Sequence, residues 1–353
     1  MRLGMILLAL TGHAHLTEDP SLLLSPHNFE VVQRANSGNT VRVTVKRAFK
    51  EAGPVDITVH TSRGDIARSL TADATGDVLT LESAFVPQGG WYSLEVKQTN
   101  ARGTEAVVSS LNKFAVGDVF VIAGQSNAAS WAEERTATRS AQASMWDPES
   151  NQWQTLTDPM PYTDGGGGSY WPLFADLLFA KEGVPLGFVN TAIGGTGIGQ
   201  WQKGGASDSG IPLYARLLTA VSGLNAQRGY RMILWHQGEA DSFYPATYRE
   251  QFLNLVQTLD ADTHAASRWM VSVATYNPDD LYAPQCGPGT VSEELQKIQR
   301  ALPNGKNIFP GPTSDDLIGA RYRYAGNWGL CVHFSKEAQP EMSRRWLASI
   351  LAI

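Results

Sequence analysis

The stretch Phe120-Val-Ile-Ala-Gly-Gln-Ser-Asn127 joins a run of apolar or small residues directly to a polar turn. An apolar run bounded by turn residues is typical of a buried strand in a parallel sheet. Open α/β sheets bind ligands beyond the C-terminal ends of their strands, which is where this pattern places Ser126. Ser126 is therefore either a functional hydroxyl at the edge of a sheet or only the N-cap of a following helix.

Beyond Gly117 the chain alternates between short apolar runs and amphipathic stretches. The amphipathic stretches predict helices at 171–182, 213–224, 247–259, 291–302 and 335–351. The apolar runs predict parallel strands at 119–123, 186–190, 232–235, 270–274 and 308–309. Strands that alternate with helices indicate a parallel sheet covered by helices on both faces. We therefore expect an α/β domain over residues 116–353, with about five strands in flavodoxin-like order.

Residues 25–115 follow a different pattern, in which apolar and polar side chains alternate. Val41, Val43 and Val45 alternate with polar residues, and further short segments repeat the pattern. Short alternating strands between Gly, Pro and Asn turns are typical of an antiparallel β-sandwich. The region shows no catalytic constellation, so we expect an N-terminal β-sandwich domain that is a spacer or a carbohydrate-facing module.

Residues 1–24 contain Arg2, an apolar run at 3–10 and small residues after it. This pattern is either a signal peptide, which implies a periplasmic or secreted protein, or a first β-strand. No stretch reaches the roughly 18 apolar residues of a membrane-spanning helix. The two cysteines, Cys286 and Cys331, either form one bridge in an oxidising compartment or stay as buried thiols.

The composition is that of a globular protein, with 42% hydrophobic and 18% charged residues. The net charge is −6 and no cluster of Lys and Arg occurs, which argues against nucleic acid and anionic membranes as partners. No His, Cys and Asp residues have the spacing of metal ligands, so we predict no metal and no cofactor. The ten tryptophans either bind sugars or fill the core, and the oligomeric state is left open.

The second predicted strand ends in Thr191-Ala-Ile-Gly-Gly-Thr196. Gly194 and Gly195 either let a backbone N–H approach a reacting oxygen without a Cβ in the way, or only form a tight turn. The run of four glycines at 165–168 is a loop near the predicted strand ends. That loop either lines a site or merely turns the chain.

The third predicted strand ends in Trp235-His-Gln-Gly-Glu-Ala-Asp241. The side-chain amide of Gln237 is the kind of donor that stabilises an oxyanion. Glu239 and Asp241 either orient other side chains or cap the next helix, and the structural role is favoured for both.

A fourth segment, Cys331-Val-His-Phe-Ser335, precedes the last predicted helix and places His333 over the edge of the sheet. The four motifs are Gly-Gln-Ser-Asn, Gly-Gly-Thr with a following Trp, Trp-x-Gln-Gly-Glu-x-Asp and Val-His-Phe-Ser. In this order they resemble the SGNH hydrolase superfamily, and within it the sialate O-acetylesterases and related carbohydrate acetylesterases. The resemblance covers about Gly117 to the C-terminus and implies the flavodoxin-like three-layer sandwich of SGNH hydrolases.

The resemblance also implies roles for individual residues. Ser126 would be the nucleophile that carries the acetyl group, and His333 would be its general base. The oxyanion hole would consist of the N–H groups of Ser126 and Gly195 and the amide of Gln237. Glu239 and Asp241 would support the site.

An acetylated carbohydrate is the substrate that the resemblance implies. It is either an O-acetylated sialic acid or another glycan, such as acetylxylan or a bacterial or phage polysaccharide. Arg321 or Arg323 either pairs with the carboxylate of a sialate or lies in a solvated loop, and the solvated loop is favoured for any single Arg. The candidate substrate-binding residues are Gln125, Asn127, Trp171, Trp201, Arg321 and Arg323.

One position departs from the family pattern, which has Asp-x-x-His before the last helix. Leu330 stands where the Asp is expected, three residues before His333, and its side chain accepts no hydrogen bond from the imidazole. A backbone carbonyl near Leu330 or Cys331 would complete a Ser-His dyad, and this reading is favoured. The alternative is a carboxylate from elsewhere in the chain, namely Glu239, Asp241, Asp315 or Asp316.

Two further hypotheses compete with the esterase. Leu330 is compatible with a carbohydrate-binding module whose hydrolase domain has decayed, although Ser126, Gly195, Gln237 and His333 are all retained. A lipase or thioesterase of the same superfamily would need a long apolar groove, whereas the loops here are rich in Trp and Gly. The composition of these loops favours a shallow polar site.

Overall fold

The structure is a computed structural model that describes residues 22–46, 53–61, 64–71, 77–326 and 329–353. Residues 1–21, on which the predicted signal peptide falls, lie outside these ranges. None of the helices in the described ranges is long and apolar enough to cross a membrane.

The protein has strands along the whole chain. They are β1 (Leu23–Ser25), β2 (Val31–Gln33), β3 (Gly38–Asn39), β4 (Arg42–Lys46), β5 (Val55–Thr61), β6 (Gly64–Thr71), β7 (Val78–Glu82), β8 (Val86–Pro87), β9 (Gly89–Thr99), β10 (Glu105–Gly124), β11 (Ala143–Asp147), β12 (Gln152–Thr155), β13 (Leu186–Asn190), β14 (Met232–His236), β15 (Trp269–Val273) and β16 (Ile308–Thr313). Of these, β1 to β9 all lie before residue 100. The helices are α1 (Trp171–Glu182), α2 (Leu213–Gln227), α3 (Tyr248–Thr263), α4 (Glu293–Arg300), α5 (Gly319–Tyr322) and α6 (Ala338–Leu351).

The protein has a mixed α/β fold built on a large, mostly parallel sheet. The strand order of its central part is β12-β11-β13-β10-β14-β15-β16, and the neighbours pair in parallel except for β12 at one edge. The five strands expected from the sequence are adjacent in the order β13-β10-β14-β15-β16, which is the predicted order. β11 and β12 extend the sheet beyond that prediction.

Helices cover both faces of this sheet because its central strands are apolar on both sides. Along β10, Val119 and Val121 belong to the apolar cluster under α2, α3 and α4, whereas Phe120 and Ile122 belong to the cluster under α1 and α6. Successive side chains of a strand point to opposite faces, so one apolar run supplies both cores. This packing fixes where the strand ends and therefore where the polar turn after β10 lies.

β10 also runs through both regions that the sequence suggested as separate domains. Its first half pairs antiparallel with β9, whereas its second half pairs in parallel with β13 and β14. The N-terminal strands form antiparallel pairs in β1-β4-β7, β6-β5-β9-β10 and β3-β8, and β2 pairs in parallel with β10. The apolar side chains of the two larger groups share one cluster. The predicted boundary at residues 115–116 therefore falls inside a single strand.

Three half-buried charged side chains surround the buried Asp118, at the point where β10 enters the parallel sheet. The Asp118 carboxylate is 2.8 Å from a guanidinium nitrogen of Arg34 and 2.9 Å from one of Arg231. Both arginines also contact Glu182, at 2.6 and 3.1 Å. Burial raises the pKa of Asp118, but the hydrogen bonds and charges of the two arginines outweigh it and hold the pKa below its usual value.

Candidate active site

A cavity of about 370 Å³ lies where β10, β13 and β14 end, at the C-terminal edge of the parallel sheet. We call it the Ser126 cavity. It is lined by Gln125, Ser126, Trp131, Asp164, Gly194, Gly195, Glu239, Ala240, Asn277, Leu330, Val332 and His333. The structure thus brings Ser126 and His333 to one cavity, together with Gly195 and Glu239. Within the described ranges, no group of three or more His, Cys, Asp or Glu is arranged to hold a metal ion.

The turn that carries Ser126 starts at Gly124, whose φ is +131°. A Cβ at this position would lie 2.0 Å from the carbonyl oxygen of His236, so only glycine fits between β10 and β14. The chain continues in hydrogen-bonded turns over residues 126–130, and no helix begins there. The N-cap reading of Ser126 is therefore wrong. Its backbone N–H donates no hydrogen bond to any residue that the structure describes.

The Gly194-Gly195 turn follows β13 and lies against Ser126. A Cβ built on Gly194 would be 3.4 Å from the Cβ of Ser126. The N–H of Gly194 is occupied, because it donates to both carboxylate oxygens of Asp164 at 2.9 and 3.0 Å. Gly195 has a φ of +70°, and its N–H has no acceptor within the described part of the chain. Two unpaired backbone donors, those of Ser126 and Gly195, therefore belong to the cavity wall.

Gln237 does not reach the Ser126 cavity, which corrects its predicted contact with an oxyanion. Its side chain is fully buried, and Nε2 lies 3.0 Å from the carbonyl oxygen of Thr196 and 3.2 Å from Oε1 of Gln125. The carboxylate of Asp241 is a third acceptor, at 2.5 Å. These protein acceptors take the amide hydrogens, so Gln237 holds the glycine turn and Gln125 in place instead.

Gln125 and Asn127, on either side of Ser126, are both tied to the segment after β14. Oε1 of Gln125 accepts hydrogen bonds of 3.2 Å from the N–H groups of Gly238 and Ala240, so this side chain lines the cavity while its oxygen is in use. Nδ2 of Asn127 donates to Glu239 at 2.8 Å. Both side chains therefore have a structural role. Gln125 lines the cavity, and its contact with substrate stays a prediction, whereas Asn127 is not part of the cavity lining.

Glu239 is a buried carboxylate with 3% of its surface exposed. Besides the contact with Asn127, its Oε1 lies 3.7 Å from Nε2 of His236, and Nδ1 of His236 is 2.8 Å from the hydroxyl of Tyr170. Burial raises the pKa of Glu239, but the nearby His236 ring and the hydrogen bond from Asn127 outweigh it and keep the pKa below its usual value. Oε2 of Glu239 accepts no hydrogen bond from the described residues.

The loop before His333 is held at several points. Leu330 and Cys331 both have left-handed backbone angles, with φ of 48° and 53°. Cys331 is bonded to Cys286 by a disulfide, with 5.1 Å between the Cα atoms, which decides between the two predicted states of the cysteines. The carbonyl oxygen of Val332 accepts hydrogen bonds from Asn127 at 3.2 Å and from Arg323 at 2.6 Å.

The imidazole of His333 stacks on the indole of Trp131, with 5.5 Å between ring centroids and an interplanar angle of 28°. The indole N–H of Trp131 donates to Asp164 at 2.9 Å, the carboxylate that also binds Gly194. Trp131 and Asp164 line the cavity although no sequence motif indicated them. The signal was the glycine run at 165–168, which packs against residues 130–135 and brings Asp164 to the cavity.

The four carboxylates considered as partners of His333 lie in different places. Asp241 accepts from the N–H of Ile198 at 2.9 Å, and Asp315 accepts from the N–H of Thr275 at 2.7 Å. Asp316 is paired with Arg345. None of these three lines the Ser126 cavity, whereas Glu239 does.

The tryptophans and arginines predicted to contact the substrate lie outside the cavity. Trp171 and Trp201 are fully buried and donate their indole N–H to Ala128 at 2.8 Å and to Thr196 at 3.1 Å. Both are therefore core residues that support the turns around the site, because each fills an apolar cluster on one side of the sheet.

Arg323 is also fully buried, and it donates to the carbonyl oxygens of Leu317, Val332 and Ser314. Burial lowers its pKa to about 10. Arg321 is exposed on α5, and its guanidinium lies 5.0 Å from the centre of the Tyr322 ring. The prediction that either arginine faces the substrate is wrong for Arg323, whose donors are used by the backbone, and Arg321 does not line the cavity.

Comparison with known proteins places this geometry in a family. The model of the family described as carbohydrate esterase, sialic acid-specific acetylesterase, matches residues 116–350. A solved carbohydrate acetylesterase from Xanthomonas citri is similar to the chain, with a TM-score of 0.59 and 18% identity, over 94% of this chain and 74% of that one. A solved protein from Arabidopsis thaliana has a TM-score of 0.50 and 17% identity, over 67% of this chain and 98% of that one.

A comparison with curated proteins finds no match to the chain. Because the two solved structures have low sequence identity to this chain, they show similarity of fold alone. The family match spans about two thirds of the chain and contains every residue of the Ser126 cavity. The chain therefore belongs to the carbohydrate esterase family of sialic acid-specific acetylesterases.

Proposed function

We propose that the protein removes O-acetyl groups from a carbohydrate through an acetyl-enzyme on Ser126, with His333 as general base. The observation that carries this proposal is the cavity shared by Ser126 and His333 at the C-terminal ends of the parallel strands. The strand order of the sheet supports the flavodoxin-like fold of SGNH hydrolases, and the antiparallel pairs before it support an N-terminal β-sandwich.

The reaction runs in two halves. His333 takes the proton of the Ser126 hydroxyl as Oγ attacks the acetyl carbonyl, and the N–H groups of Ser126 and Gly195 stabilise the oxyanion. His333 then returns the proton to the departing sugar hydroxyl, which leaves acetyl-Ser126. A water molecule, deprotonated by His333, attacks this ester, and acetate leaves as the Ser126 hydroxyl is restored.

Glu239 supplies the negative charge that Leu330 does not. It is the carboxylate among the four candidates that lines the same cavity as His333, and it is buried, so its charge acts on the imidazolium with little screening. A backbone carbonyl that holds the imidazole is the alternative. Replacing Glu239 with Gln distinguishes the two, since a carbonyl-held histidine would keep its kcat.

The shape and wall of the cavity favour an acetyl ester over a lipid ester. Its volume of about 370 Å³ and the polar side chains of Asp164, Glu239 and Asn277 suit a short acyl group on a hydrophilic alcohol. A long acyl chain would need a continuous apolar groove. The disulfide between Cys286 and Cys331 supports a periplasmic or secreted location, because such bonds persist in oxidising compartments.

The test is the Ser126→Ala variant, compared with Ser150→Ala at an exposed serine away from the cavity. Release of acetate or p-nitrophenol should fall to background in Ser126→Ala and stay unchanged in Ser150→Ala, with both proteins folded by circular dichroism. A fluorophosphonate probe should label the wild type and Ser150→Ala alone. Full turnover by Ser126→Ala rejects the proposal, and an unlabelled wild type favours a decayed site.

A further inference from the structure

The charges on the wall of the Ser126 cavity are negative. Asp164 and Glu239 are its acidic residues, and none of the described residues that line it is Lys or Arg. Asp279 and Asp280 are exposed on the loop that follows Asn277, another residue of the wall. A substrate carboxylate in this cavity would therefore meet carboxylates on the protein side, without an arginine to pair with.

Arg135, Arg321 and Arg323 lie in the segments that flank the residues of the cavity wall. Arg323 gives its three nitrogens to backbone carbonyls, and Arg321 is exposed outside the cavity lining. Arg135 lies beside the glycine run at 165–168, but its guanidinium donates to the carbonyl oxygen of Gly166 at 2.5 Å. None of these three arginines is among the described residues that line the Ser126 cavity.

Three large aromatic side chains in segments that adjoin the cavity wall are exposed to solvent, and we call them the rim aromatics. They are Phe243, 69% exposed, Tyr244, 85% exposed, and Tyr282, 82% exposed. The first two come soon after Ala240 of the wall, and Tyr282 borders a hollow together with Leu330, which is itself a wall residue. Exposed aromatic faces suit the C–H faces of pyranose rings, which carry no net charge.

We propose that the substrate is an acetyl ester on a neutral sugar of a longer glycan, that the acidic wall excludes sialate, and that the rim aromatics hold the neighbouring sugars. This rests on the proposed function of Ser126. Discrimination comes from repulsion of the wrong substrate as well as from contacts to the right one. The family description names sialic acid, so this member would differ from it in substrate charge.

The first test compares 9-O-acetyl-N-acetylneuraminic acid with its carboxylate methyl ester. The kcat/KM of the methyl ester should be about tenfold higher, which corresponds to ~1.4 kcal/mol. Ala240→Lys should reduce this ratio, whereas Ala240→Gln, an uncharged side chain of similar reach, should keep it. The kcat/KM values of the methyl ester and the free acid are compared within each variant, so a substitution that lowers both equally leaves their ratio unchanged. Preference for the free acid, or no effect of the lysine, overturns the proposal.

The second test compares acetylated xylo-oligosaccharides with p-nitrophenyl acetate in Tyr282→Ala. The ratio of the two kcat/KM values should fall about five- to tenfold, and it should not change in Phe85→Ala, an aromatic residue 53% exposed in the N-terminal region. An unchanged ratio shows that the glycan does not reach the rim. A change in oligomeric state by sedimentation with an unchanged ratio identifies a contact between proteins instead, and either result overturns the role of the rim. Failure of the proposed function itself would appear separately, as p-nitrophenyl acetate turnover by Ser126→Ala.

Discussion

Asn127 donates a buried hydrogen bond of 2.8 Å from its side-chain amide to Oε1 of Glu239. The same amide donates to the carbonyl oxygen of Val332, the residue before His333. One side chain thus links the turn of the proposed nucleophile, the carboxylate of the cavity and the loop of the proposed base. The site is held together by this residue although its three parts are far apart in the sequence.

We expect Asn127 and Glu239 to act as a unit. Asn127→Ala removes a donor from a buried carboxylate and should cost about 1.5–3 kcal/mol of stability. Asn127→Ala and Glu239→Gln should each lower kcat, and the double variant should lose less than the sum, with a coupling of about 0.5–3 kcal/mol. Denaturant unfolding and steady-state kinetics measure both quantities, with the exposed Glu294→Gln as control. Additive losses would show that the two side chains act independently.

Gly194→Ala should impair the reaction more than Gly195→Ala does. A methyl group on Gly194 would lie 3.1 Å from Oδ2 of Asp164 and 3.4 Å from the Cβ of Ser126, so it crowds the nucleophile. We expect about a tenfold lower kcat and a cost of about 1–3 kcal/mol from overpacking. At Gly195 the added methyl meets open space, and only its left-handed φ costs about 1–2 kcal/mol. The reverse order of the kcat values would argue against this placement of the turn.

Because of the charges around Asp118, the free energy of unfolding should depend on pH in the acidic range. The pKa of Asp118 is held below its usual value of 3.8, so its contribution is present above pH 3.8 and is lost as the pH falls through the lowered pKa. Asp118→Asn should cost about 3 kcal/mol at pH 7, because two half-buried arginines lose their buried carboxylate partner. Urea unfolding from pH 7 to pH 2 should show the two proteins converge below pH 3.8. Exposed Asp77→Asn serves as control, and a constant difference across the range would contradict the prediction.

Removing the disulfide should affect both stability and catalysis. Cys286 and Cys331 are 45 residues apart, and a loop of this length corresponds to about 4 kcal/mol in the chain-entropy model. Cys331 is two residues from His333, so the Cys286→Ser/Cys331→Ser variant should also lose kcat at temperatures where it stays folded. Thermal unfolding and kinetics with and without reductant measure both effects. If reductant changes neither property of the wild type, the bond does not hold the loop.

The sequence predicted the parallel sheet well because its signal is local. Long apolar runs marked β10, β13 and β14, and α1 has the predicted bounds of 171–182. The motifs that follow β10, β13 and β14 lie at one edge of the sheet because the C-terminal ends of parallel strands are all on the same side. β11 and β12 were missed because these short strands have neither a long apolar run nor a clear alternation.

The individual contacts of the site could not be predicted in the same way. The sequence around Trp171 and Trp201 does not show whether these side chains face a sugar or the core. The packing of the helices decides it, and both are buried. Gln237 stands at the expected strand end, but its amide meets Thr196 and Gln125, which come from other strand ends. Asp164 was not predicted because its hydrogen bond with the N–H of Gly194 joins two loops that are distant in the sequence, and the sequence does not show that these loops meet.

The length of β10 sets a limit on how this enzyme can be divided. The same twenty-residue strand pairs with β9 at its beginning and lies between β13 and β14 in the parallel sheet at its end. Excising the N-terminal region at the boundary that the residue pattern suggests would sever that strand and strip hydrogen-bonding partners from what remains. A cut at this point would therefore not release the parallel-sheet half as an intact unit for transfer to another protein.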